Sequence, residues 1–123
     1  MPVDKLAHFS IRTSTLRASC DFYCRVLGFH EGFRPDFTFP GAWLYLGGDE
    51  PDDAVIHLIG VDSAESSGLA NYLGDRPQAE LRGGAAVDHL AFAATDLRGM
   101  RERLDAMGVP FRERTVPGLR LQQ

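Results

Sequence analysis

Cysteine is scarce in this chain: Cys20 and Cys24 are the two among 123 residues. That is too few for a disulfide framework and suits a reducing compartment. Positive charge is not in excess either, with 13 Lys+Arg against 17 Asp+Glu and a net charge of −4. A nucleic-acid binder needs a basic face, so that class is set aside. No apolar run approaches the roughly 18–20 residues that span a bilayer. The start, Met1-Pro2-Val3-Asp4-Lys5, lacks the basic end and apolar stretch of a secretory signal. A cytoplasmic protein with no nucleic-acid or membrane partner is expected. Phosphate loops are missing too, because Gly47-Gly48 and Gly83-Gly84 stand in no nucleotide-binding frame. No Ser or Cys nucleophile frame is present.

What is there is the composition of one folded domain, covering 1–123. Hydrophobic residues make up 44% and charged residues 24%, and 13 Gly and 7 Pro rule out a coiled coil. Such a length buries a core without staples.

Leu6–Thr13 reads as a strand with Ala7, Phe9 and Ile11 on one face and His8, Ser10 and Arg12 on the other. Thr13-Ser14-Thr15 offers N-cap hydroxyls to a helix carrying Leu16, Cys20, Tyr23 and Leu27, closed by Gly28. Strands are predicted around Phe29–Arg34, Ala42–Leu46 and Ala54–Ile59, giving a β-α-β-β-β module over about 4–60. Residues 61–86, rich in loop signals, read as a linker. The pattern then returns over about 87–123. It has a strand at Val87–Ala94, a helix capped by Thr95 or Asp96 with Leu97, Met100, Leu104 and Met107, and closing Gly108. Strands are predicted again at Val109–Arg114 and from Leu119.

The two halves form a repeat. A shift of 81 residues places His8 on His89, Ser14 on Thr95, Leu16 on Leu97 and Arg17 on Arg98; one gap brings Gly28 onto Gly108. His57 follows His8 by 49 residues, and the same offset from His89 falls at 138, beyond Gln123. The second module is therefore expected to lack its last strand here, with its edge completed by further chain or by a partner. An open edge strand would otherwise invite aggregation.

His8, His57 and His89 each fall in the middle of a predicted strand. Imidazole is the commonest metal ligand, and divalent ions need several such groups converging. Repeat-related His8 and His89 would meet in a pseudo-symmetric fold, with His57 from an inner strand. For each one alone, the plain alternative is a hydrogen-bonded or half-exposed strand histidine. His30, near a turn, is set aside. Cys20 and Cys24 share a helix face and read as small packing hydrophobes. Trp43 and Tyr45 share one strand face, opposite Leu44 and Leu46. Either that face lines a substrate groove or both rings belong to the core. Arg12, in phase with His8, could anchor an anionic substrate, or be solvated.

Phe22-Tyr23-Cys24-Arg25-Val26-Leu27-Gly28-Phe29 resembles the helix end F-Y-x-x-V-L-G-F of the vicinal oxygen chelate superfamily. Val87-Asp88-His89-Leu90-Ala91-Phe92 resembles that superfamily's second opening strand. The group includes glyoxalase I, methylmalonyl-CoA epimerase, extradiol dioxygenases and the fosfomycin- and bleomycin-resistance proteins. The resemblance covers essentially the whole chain but singles out no member. It implies an α+β fold of two tandem β-α-β-β-β modules, a curved mixed sheet around a cleft, often paired in a homodimer. It also implies metal ligands His8, His57 and His89, with a fourth, usually Glu, from the strand beyond Gln123. His57 stands where glyoxalase I-like members commonly have Glu or Gln.

The resulting expectation is a metal-dependent lyase/isomerase or dioxygenase acting on a small oxygenated substrate. His8, His57 and His89 would hold Zn, Ni, Fe, Mn or Co, and Arg12, Trp43 and Tyr45 would contact substrate. The alternative is a metal-free binding protein of the bleomycin-resistance kind, and a weaker third reading is a dimerising interaction module.

Overall fold

The computed structural model of the chain describes residues 6–61 and 94–113, together with 87, 90, 92 and 115. The chain divides into two compact units, Met1–Ala91 and Phe92–Gln123. In the first unit the order is β1 (Phe9–Thr13), α1 (Leu16–Asp21), β2 (His30–Gly32), β3 (Gly41–Tyr45) and β4 (Ala54–Gly60). This is the β-α-β-β-β order predicted for the first module. The strands form one mixed sheet in the order β1-β4-β3-β2. β1 and β4 are parallel, which requires the long crossover through α1, and the other two pairings are antiparallel.

β4 reads Ala-Val-Ile-His-Leu-Ile-Gly, a β-branched run suited to a central strand. Its alternate residues Ile56 and Leu58 are buried on the face that meets the helix. They join Ala42, Leu44, Cys20 and Phe29 in the main core cluster, against which Phe9, Ile11, Leu16, Tyr23 and Leu27 are packed. Burial of Cys20 accords with the packing reading of the cysteines.

The first helix differs from expectation in two respects. Thr15 stands at its N-cap but makes no side-chain cap; instead Thr13 Oγ1 accepts from the Thr15 amide at 3.0 Å. After Asp21 the helix widens into a π turn, Phe22–Val26. The wider turn changes the phase of the side chains, and Val26, off the predicted stripe, is fully buried. Gly28 ends the helix at φ +82°, a conformation costly for any residue with a Cβ.

In the second unit α2 spans Leu97–Ala106. Asp96 is its N-cap, accepting the Gly99 amide at 3.0 Å, and Gly108 follows the helix at φ +64°, as the repeat predicts. An Arg101–Glu113 ion pair ties the following segment to the helix. The strand predicted at Val109–Arg114 is not formed over residues 109–113. Pro110 there has no N–H to give a ladder. Of the strand predicted at Val87–Ala94, residues 87, 90, 92 and 94 are described and none of them is in a strand. Its other residues, His89 among them, the linker from 62 to 86 and the strand from Leu119 lie outside the described residues.

Candidate functional site

The face of the sheet away from the helix carries a groove. Alternation along β1 puts His8, Ser10 and Arg12 on it, and the same alternation along β4 puts His57 and Ile59 there. Register then sets the neighbours: Ser10 lies opposite His57 on one side, and Trp43 lies opposite His57 on the other. Together with Arg34, Phe37, Phe39 and Leu58, these residues line a cavity of about 510 Å³. That size falls within the usual range for small-molecule sites. A second cavity of about 340 Å³ shares His8, Trp43 and His57 and adds Ala7, Pro51, Asp52 and Ala54.

Between the two cavities stands a column of three rings. His57 stacks on Trp43 with centroids 3.9 Å apart and planes 7° from parallel. His8 stacks on the same imidazole at 3.9 Å and 15°. Burial, then the charge of His8 and that of Arg34, push the His57 pKa down to about 4, against a smaller opposing effect of a backbone hydrogen bond at Ala54. His57 is thus neutral at physiological pH, the form in which imidazole ligates metals.

The donor chemistry of His8 and His57 fits a divalent ion, but the orientation shown does not close around one. An imidazole lone pair lies in its ring plane, and two nearly parallel planes do not meet at a shared point nearby. Chelation requires His8, which is exposed, to swing about its side-chain bonds. Among the described residues, no group of three or more His, Cys, Asp or Glu side chains is placed to hold a metal ion. The third sequence-predicted ligand, His89, lies outside them.

Of the side chains predicted to meet substrate, Arg12 and Trp43 line the larger cavity. Tyr45 shares Trp43's face, as the alternation predicts, since its ring lies against His30 and Gly32, the register partners of Tyr45 and Trp43. It lines neither of the two cavities, however. A bulge between Leu44 and Tyr45 pairs Tyr45 with Ala54, leaving Val55 out of the register. Tyr45 is buried, stacks on His30, and donates its hydroxyl to the Phe33 carbonyl.

Sequence reasoning missed Arg34, Phe37 and Phe39. They come from the segment between β2 and β3, which has no periodicity to betray a face. Its one signal was composition: three phenylalanines, Phe33, Phe37 and Phe39, in a loop where polar residues are the rule. Phe37 and Phe39 stack at 5.1 Å, and Phe37 approaches Trp43 at 6.3 Å.

A mixed sheet with a helix on one face and a histidine-lined groove on the other defines the class to which the sequence comparison points. The sequence model of the Glyoxalase/Bleomycin resistance protein/Dioxygenase superfamily matches residues 5–120. The chain belongs to this superfamily, which is the vicinal oxygen chelate superfamily. Comparison with curated proteins and with solved structures found no significant match. No helix among the described residues is long and apolar enough to cross a membrane.

Proposed function

We propose that the chain is a metal-dependent enzyme of this superfamily, a lyase/isomerase or dioxygenase whose small oxygenated substrate lies in the groove over β1, β4 and β3. The observation that carries the reading is the placement of His8 and His57 on one groove, ring centroids 3.9 Å apart, where a swing of the exposed His8 side chain would aim both imidazoles at one ion. A neutral His57, pushed down to about 4, favours the same reading. His8 and His57 would hold the ion with His89 from the second half. When bound, such an ion supplies Lewis-acid stabilisation to a developing enolate or oxyanion.

The protein's own part is placement. Trp43 fixes the His57 ring by stacking and gives the substrate a flat wall. Arg12 stands at the same groove and offers a cation to an anionic substrate group. Tyr45, beside the groove on the same face, holds the segment that carries Phe33. The active form in this reading is a homodimer, and a light-scattering mass of one chain at micromolar concentration would exclude that.

The test is elemental analysis of untagged protein purified without added metal. Near-stoichiometric metal, lost in His8→Ala, is the expected result. No metal after dialysis against Zn, Ni, Mn and Fe(II) would overturn the reading and leave the groove as a site for metal-free sequestration.

A further inference from the structure

Arg34 carries a buried donor with no partner among the described residues. Its guanidinium has five N–H donors. Nη2 gives a hydrogen bond to the Phe39 carbonyl at 2.9 Å, while Nε is enclosed and has no partner. Arg34 forms no ion pair among the described residues. The guanidinium carbon sits 4.9 Å from the Phe37 ring centroid and 5.1 Å from that of Phe39, a cation set against a stacked pair of aromatic rings. Gly41 makes room for it: a Cβ there would stand 2.8 Å from Nη2 and 2.9 Å from Nε.

A loop anchor would need only the bond to Phe39. Enclosing Nε without an acceptor is costly, because that donor loses water and gains nothing. Burial indeed lowers the Arg34 pKa, and Asp36 only partly opposes this. The side chain lines the larger cavity, whose other lining residues, among those described, include Arg12 and no Asp or Glu. The walls beside the cation are aromatic: Phe37, Phe39 and Trp43.

We infer that Arg34 receives the anionic group of the groove's ligand, and that this ligand is a small carboxylate with a planar, apolar body. The carboxylate takes the open guanidinium donors in charge-assisted hydrogen bonds, and the body lies against the aromatic walls. This deepens the proposed function by naming a substrate class, and it rests on the groove being the binding site. It does not depend on metal.

Benzoate and its neutral isostere benzamide are the probes, titrated by NMR into chelator-treated full-length protein and into His8→Ala. Benzoate is expected to bind at least roughly tenfold more tightly than benzamide in both, as a charge-assisted pair implies. Arg34→Gln should abolish the preference, and Arg34→Lys, which keeps the charge without the fork, should retain part of it. The benzoate/benzamide comparison on unmutated protein stands even if Arg34→Gln fails to fold. Equal binding of the two probes, or a preference that survives Arg34→Gln, overturns the inference. Preference lost in His8→Ala or on chelation, yet kept in Arg34→Gln, assigns the anion to a metal instead and overturns it too. Absence of metal with the Arg34-dependent preference intact would sink the metal-dependent reading alone.

Discussion

The two faces of β4 are built from alternate residues of one strand and have opposite characters. Ile56 and Leu58 point into a core in which every buried side chain described is hydrophobic. His57, between them in sequence, belongs to a face with Ser10, Arg12 and Trp43, where polar groups and open volume prevail. A strand's period of two allows this separation within 3.4 Å of chain per step. The difference teaches that the core face carries the stability and leaves the groove face free for chemistry.

The largest expected effect tests that division directly. Leu44 and Trp43 are neighbours on β3, one fully buried and the other half-buried on the groove side. Leu44→Ala removes packed methyl groups and should destabilise the fold by about 2–5 kcal/mol. Trp43→Ala removes a larger side chain, yet should cost only about 1–2 kcal/mol because much of it already faces open volume. Urea unfolding measures both. A Trp43→Ala loss as large as that of Leu44→Ala would mean that the groove face is part of the structural core.

How much of this was legible in the sequence follows the same division. His8, Arg12, Trp43 and His57 could be brought to one face because strand periodicity is written in residue order. Helix ends were legible for the same kind of reason, since Gly28 and Gly108 adopt the positive φ that few other residues tolerate. The burial of Tyr45, which shares Trp43's face but is hydrogen-bonded to the Phe33 carbonyl, was not, because the loop after β2 sets it. Nor was Arg34, whose place depends on a loop folding over the sheet rather than on any period. Ring stacking was also invisible: residue order puts His8 and His57 on one face but does not say that their planes lie parallel. Val26 escaped because the π turn broke a helical phase that the apolar pattern had assumed.

A smaller effect sharpens the comparison through pH. His57 is the titratable group on which burial acts most clearly at the groove, lowering its pKa from 6.5 to about 4. Below pH 6.5 the unfolded chain takes up a proton at this position that the folded chain declines until about pH 4. Its contribution to stability is therefore full above pH 6.5 and lost as pH falls toward 4. In chelator-treated protein, the melting temperature should drop through that window, and His57→Asn should flatten the drop. A slope unchanged in His57→Asn would place the pH sensitivity elsewhere.

The smallest effect lies at the margin of the core face, where one carboxylate meets a thiol. Glu31 on β2 accepts from Arg17 Nη2 at 3.0 Å and from Cys20 Sγ at 3.3 Å. The Arg17–Glu31 pair is solvent-exposed, so Glu31→Gln should change stability by at most about 1 kcal/mol, and less at high salt. The thiol reports more sensitively than stability does. Burial first, and then the bond and charge of Glu31, push the Cys20 pKa up to about 12. The reactive thiolate is therefore suppressed, and the side chain is fully enclosed. Iodoacetamide at pH 8 should label half-buried Cys24 in the native protein and reach Cys20 only on unfolding, by mass spectrometry of the digested chain. Glu31→Gln leaves the burial in place and should leave Cys20 protected. Rapid native labelling of Cys20 in that variant would show that the carboxylate, rather than the packed core behind it, keeps this face closed.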